Sequence, residues 1–96
     1  VRQIEGGAII ALTQALKSEI TINEGAAVES NFHDYPLLTM AETPEFEVHF
    51  VENMERPGGV GEPPVPPPPP AVANAIFAAT GVRVRKMPFP KDLLKA

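Results

Sequence analysis

The sequence predicts an α+β fold, with two helices packed on a small mixed or antiparallel sheet. Three observations lead there. Apolar residues recur at helical spacing in residues 1–18 and again in about 70–80. Apolar and polar residues alternate in 19–23 and 45–50. Glycine- and proline-rich stretches separate these segments.

The first helix is expected over 1–18. Ile4, Ala8, Leu12 and Ala15 form its apolar stripe, flanked by Ile9 and Leu16. Gly6 and Gly7 lower its helix propensity by roughly 1 kcal/mol each. Their missing side chains allow close backbone approach near the helix start. Residues 19–23 then read as a strand, Asn23-Glu24-Gly25 as a turn and 28–31 as a returning strand. Residues 31–36 lack periodicity and read as a loop, with Asn31 and Asp34 satisfying backbone groups in it. Residues 37–40 read as a short strand or an extended segment.

After Pro44, Phe46, Val48 and Phe50 point one way and Glu45, Glu47 and His49 the other, as in a half-buried strand. His49 is then a surface residue of that strand. Residues 63–70 read PPVPPPPP, seven of the eight being proline, and predict a polyproline II connector. Pro69 and Pro70 can open the second helix, where a missing N–H is harmless. Val72, Ala75, Ile76 and Ala79 make its apolar face, and Gly81 is its C-cap. Residues 82–85 alternate as a terminal strand, and 91–96 read as a flexible tail.

Ninety-six residues make one small domain with a modest core. The net charge of −4, without a basic stripe, argues against a nucleic-acid partner. Arg83, Arg85 and Lys86 read as a solvated strand edge. There is no cysteine, hence no disulfide or thiolate chemistry. His33 and His49 lack a neighbouring third ligand, so no metal site is expected. No apolar run approaches the roughly 20 residues of a membrane span. The chain opens on Val1 directly in a helical pattern, as expected of a fragment or a processed chain. Two helices are too few to cover a large sheet, so part of their apolar surface is expected to pack on something outside the chain.

Gly58-Gly59-Val60-Gly61-Glu62-Pro63-Pro64 carries the chemistry. It holds one carboxylate, Glu62, between a permissive glycine loop and a proline run that fixes the exit path. That is how a general base can be presented to a cofactor. The plain alternative is an exposed turn glutamate.

Four motifs then occur in order: Gln3-Ile4-Glu5-Gly6-Gly7, Ser30-Asn31-Phe32-His33-Asp34-Tyr35, Gly58-Gly59-Val60-Gly61-Glu62-Pro63 and Ala73-Asn74-Ala75-Ile76-Phe77-Ala78-Ala79-Thr80-Gly81. With these the chain resembles the C-terminal part of the molybdenum-binding subunit of the xanthine dehydrogenase and aldehyde oxidoreductase family, in its isoquinoline 1-oxidoreductase beta-subunit form.

The resemblance implies that residues 1–90 are a C-terminal fragment of the molybdopterin-binding domain. It implies a molybdenum–pterin cofactor held mostly outside this chain, and oxidation of aldehydes or N-heteroaromatics. Glu62 becomes the catalytic base that activates the molybdenum-bound hydroxide. Gln3 becomes a contact to the pterin, with Gly59 and Gly61 permitting its close approach. The plain alternative for Gln3 is an exposed polar residue. The resemblance gives no catalytic role to His33, Asp34 or Tyr35. The implied partners are the remainder of the molybdenum subunit, an iron–sulfur subunit with or without a flavin subunit, and a small-molecule substrate.

The chain departs from the family pattern in its almost unbroken proline after Gly-Glu-Pro. Alone it is expected to be inactive. Two other readings stay open: a proline-rich ligand for aromatic grooves, and an inert structural remnant. The sequence names neither substrate nor compartment.

Overall fold

The computed structural model describes residues 1–94. Helix α1 spans Arg2–Leu16, strand β1 Ile22–Asn23, strand β2 Ala26–Ala27 and helix α2 Pro68–Thr80, followed by a 3₁₀ turn at Lys91–Leu94. The α+β composition stands: two helices and one two-stranded antiparallel sheet. The two helices pack on each other.

Helix α1 buries Gly7, Ala8, Ala11, Leu12, Thr13 and Ala15. These sit at the three- and four-residue spacing of one helical face. Most are small, so neighbouring backbone can come close. Thr13 is the one buried polar side chain of the face. Its hydroxyl donates to the Ile9 carbonyl (2.9 Å) and accepts from the Leu38 N–H (3.2 Å). Both capacities of the hydroxyl are used, so its burial leaves nothing unpaired.

Helix α2 begins inside the proline run. Pro67, its N-cap, already has helical angles (φ −70°, ψ −35°), and Pro68 to Pro70 fill its first turn, where no N–H has an intrahelical partner. The expected polyproline II rod is therefore not formed. Residues 62–65 make a turn closed by the Val65 N–H on the Glu62 carbonyl (2.9 Å), and the last prolines are helical. Gly81 ends α2 in the left-handed region (φ 75°), donating to the Phe77 carbonyl. Of the expected apolar face of α2, only Ile76 is buried.

The core is small. Ala15, Ile76 and Phe89 form its centre, with Leu16, Val72, Ala73 and Val84 against it. The Phe89 N–H donates to the Ala15 carbonyl at 2.8 Å, pairing an acceptor that α1 leaves open at its end. One hydrogen bond and one aromatic side chain thus fasten residues 84–89 across both helices.

Four expected strands differ, the return strand of the hairpin lying at Ala26–Ala27 and not at 28–31. The first hairpin is shorter than its alternation suggests. Glu24 (φ 49°) and Gly25 (φ 77°) both take the positive φ of a two-residue hairpin turn, and Asn23 pairs with Ala26 across it. All four strand residues are exposed, so no buried face extends the ladder. Residues 45–50 and 82–85 form no ladder among the described residues. A strand needs a neighbour for its backbone groups, and neither segment has one here. Arg83 instead lies over the Phe77 ring, 3.5 Å from its centroid, and donates to Asn74 Oδ1 (3.2 Å). The expected tail at 91–96 is a 3₁₀ turn over Lys91–Leu94, and its last two positions lie outside the described residues.

Two contacts position the loops on α1. At the far end, Lys17 Nζ donates to Glu42 Oε2 (2.6 Å) and to the Leu37 carbonyl (3.4 Å). The same carboxylate oxygen accepts from the Thr39 N–H and hydroxyl. At the near end the Gly61–Pro64 segment crosses α1 over Gly7. A Cβ on Gly7 would lie 2.5 Å from Pro64 Cγ and 3.0 Å from the Gly61 carbonyl oxygen. One of these is rigid backbone and the other a ring, so neither can swing aside. Gly6, one position earlier, faces open space.

Two predictions follow from these contacts. Gly6→Ala should stabilise the chain by up to about 1 kcal/mol, the usual helical gain of alanine over glycine. Gly7→Ala should lose that gain, because overpacking costs about 1–3 kcal/mol. Urea midpoints of the two variants measure the difference, and equal stabilisation by both would contradict the crossing. The second concerns Glu42. Lys17, then the Thr39 N–H and hydroxyl, lower its pKa from 4.5 to about 2. A depressed carboxylate stabilises the fold fully above its unfolded value and loses that contribution as pH falls through its folded one. The Thr39 amide resonance should therefore hold above pH 4.5 and move towards a released position as pH drops to about 2. In Glu42→Gln that step should vanish.

Candidate functional site

Glu62 stands at the exit of the glycine loop, at the start of the turn closed by Val65. Its side chain is exposed, and no hydrogen bond among the described residues occupies its carboxylate. Pro63 and Pro64 follow at once, and the seat of Pro64 against Gly7 holds the turn on α1. The carboxylate is thus carried on a backbone anchored two residues away, with its oxygens open to accept a proton.

Gln3 lies in the first turn of α1, exposed. The crossing brings it to the same place. A Cβ on Gly61 would lie 3.2 Å from Gln3 Nε2, so the carboxamide meets the residue just before Glu62. Of the four residues singled out in the sequence, Gln3, Gly61 and Glu62 therefore share one edge of the molecule. Gly59 sits in open space with nothing within 4 Å of its Cβ position.

The sequence singled out the glycine pair of α1 without telling its members apart. Helical period alone does not say which glycine faces the loop, and no local signal names Pro64 as its neighbour.

The Asn31–Tyr35 loop is organised by its own side chains. Both oxygens of Asp34 accept from the Ser30 N–H at 3.0 Å, and Asp34 Oδ1 also accepts from the Asn31 N–H at 2.9 Å. Asn31 Oδ1 accepts from the Phe32 N–H. These bonds, first the one from Asn31, hold the Asp34 carboxyl below its usual range. Asp34 therefore acts as a loop staple, and His33 lies beside it as an exposed neighbour (3.5 Å). His49 is exposed beside Glu47 (3.6 Å), as a strand-surface residue would be.

The site can do two things chemically. It can take up a proton at Glu62, and it can present a carboxamide and glycine backbone to a flat polar ligand edge. Among the described residues no group of three or more His, Cys, Asp or Glu side chains could hold a metal ion.

No family model matches the chain. Among curated proteins it is 42% identical over 94 residues to the membrane-bound aldehyde dehydrogenase [pyrroloquinoline-quinone] of Gluconacetobacter polyoxogenes, covering 97% of this chain and 12% of that protein. It is 38% identical over 86 residues to the beta subunit of isoquinoline 1-oxidoreductase of Brevundimonas diminuta, covering 90% of this chain and 11% of that one. It is 35% identical over 99 residues to a putative xanthine dehydrogenase molybdenum-binding subunit of Escherichia coli, covering 95% of this chain and 13% of that one. These identities do not single out the isoquinoline type. The chain spans about an eighth of the length of the relatives it matches. It is homologous to a segment of the molybdenum-binding subunits of xanthine dehydrogenases and aldehyde oxidoreductases.

Proposed function

We propose that residues 1–90 are the C-terminal, base-bearing segment of a molybdenum hydroxylase acting on aldehydes or N-heteroaromatics. The observation that carries this is the meeting of Gln3 with Gly61 beside Glu62, whose exposed carboxylate has no hydrogen bond among the described residues. Two motifs far apart in sequence thus meet, the Gln3 carboxamide lying against the residue that precedes the base. The homology to molybdenum-binding subunits supports the choice of cofactor.

A bound molybdenum–pterin group supplies the two-electron oxidant. This chain's residues do the rest that falls to them. A Glu62 oxygen would accept the proton of the hydroxyl nucleophile, leaving the hydroxyl oxygen the more nucleophilic. The Gln3 carboxamide donates to a polar edge of the pterin and fixes its orientation. The glycine backbone at 59 and 61 lets the ring system approach without a Cβ in the way. The turn at 62–65 and the Pro64–Gly7 contact hold the base at one reach. The remainder of the subunit covers Glu62 and excludes water from it. The electrons would pass to an iron–sulfur subunit, with or without a flavin subunit as a further partner.

The competing proline-ligand reading needs an extended rod, and Pro68 to Pro70 are helical. The inert-remnant reading predicts no effect of Glu62 on turnover. One relative's name carries pyrroloquinoline quinone, so the cofactor is part of the test.

In the assembled enzyme, Glu62→Gln should lower kcat by about a hundredfold or more, as loss of a general base does. Molybdenum content by elemental mass spectrometry should stay at the unsubstituted level. Full turnover at full molybdenum loading would remove Glu62 from the chemistry. A quinone without molybdenum would overturn the cofactor assignment. Gln3→Ala should instead reduce cofactor retention during gel filtration, and unchanged retention would leave Gln3 without a pterin role.

A further inference from the structure

Residues 45–50 alternate in sequence as a strand does, and among the described residues 45–52 have no strand to pair with. Phe46 and Val48 are half-buried on one side, and Glu45, Glu47 and His49 are exposed on the other. Phe50 and Val51 remain 58% and 91% exposed. Among the described residues, no backbone N–H or C=O of 45–52 takes part in a backbone hydrogen bond. An alternating segment whose backbone groups are left open is a template for another strand.

The surface of the whole chain says how much is left uncovered. It exposes 7732 Å², whereas a compact monomer of 10.3 kDa exposes about 5400 Å². The excess, roughly 2300 Å², is on the scale of an obligate interface. Relatives carry about seven-eighths of their length outside the matched segment. A second copy fits the strand poorly. Residues 45–52 hold Glu45, Glu47 and Glu52 with no Lys or Arg, and the chain carries −4 overall. In-register pairing of two copies would set like charges opposite each other.

We propose that residues 45–52 add, as a β-strand, to the edge of a sheet in the part of the molybdenum-binding subunit outside this chain. The receiving strand carries basic or hydroxyl side chains opposite Glu45 and Glu47, and apolar ones on the Phe46–Val48 side. Main-chain hydrogen bonds supply the attachment and the alternating side chains set its register. The proposal rests on the reading of the chain as a segment of that subunit.

The test uses a chimera in which this chain replaces the matched segment of the 42%-identical relative, beside the 96-residue chain alone. Amide exchange is followed residue by residue. Every second amide between Phe46 and Val51 should be protected at least about tenfold more in the chimera than in the chain alone. Of the pair Glu47→Pro and Val48→Pro, the one whose N–H faces the partner should abolish the neighbours' protection, and the other should spare it. A folded chimera with 46–51 unprotected, or with protection indifferent to both prolines, would overturn the strand and leave the parent reading intact. Concentration-dependent protection in the chain alone would assign the edge to a second copy and overturn the proposal. A chimera that does not assemble would overturn the parent reading and the strand with it.

Discussion

The rest of the structure hangs on the place where Pro64 and the Gly61 carbonyl press on α1 at Gly7. No side chain larger than hydrogen fits there. The contact sets how the glycine loop leaves α1, and thereby where Glu62 stands and what Gln3 touches. It also fixes the entry of α2, because the proline run passes directly from this seat into the helix. A local requirement for zero volume thus orients the base, the carboxamide beside it and the second helix together.

Around this crossing the chain spends little on a core of its own. The buried face of α1 is chiefly glycine and alanine, and α2 contributes one buried side chain. The centre is Ala15, Ile76 and Phe89, tied by the Phe89 amide to the end of α1. Small side chains bury little apolar area, so each adds little to stability. They do permit close packing of backbone on backbone. The large exposed apolar remainder, with Phe50 and Val51 among it, is what a segment of a larger polypeptide needs for its further contacts.

Much of the fold was legible because its signals are local. The α1 stripe, the start of α2 in proline and its end at Gly81 follow from period and cap chemistry. The two-residue turn at Glu24-Gly25 and the Asp34 staple follow from residues that bond or turn within a few positions. The polyproline rod misled because composition measures stiffness and not the direction of a chain. Prolines are also compatible with a first helical turn, and here the last of them enter one. The strands at 45–50 and 82–85 misled for a different reason. Alternation reports which side chains want burial, whereas a ladder depends on a partner that no local pattern supplies.

The helices, their ends, the hairpin turn and the carboxylate set between glycines and prolines are all dictated by residue type along the chain. Each depends on interactions spanning a few residues, where residue type dictates backbone angle. Long-range packing instead sets that Gly7 and not Gly6 receives the loop, and that Gln3 meets Gly61. It also places Arg83 on α2 and leaves 45–52 without a backbone partner among the described residues. Those outcomes depend on which surfaces meet across long stretches of chain, and that is settled by shape and volume at the point of contact.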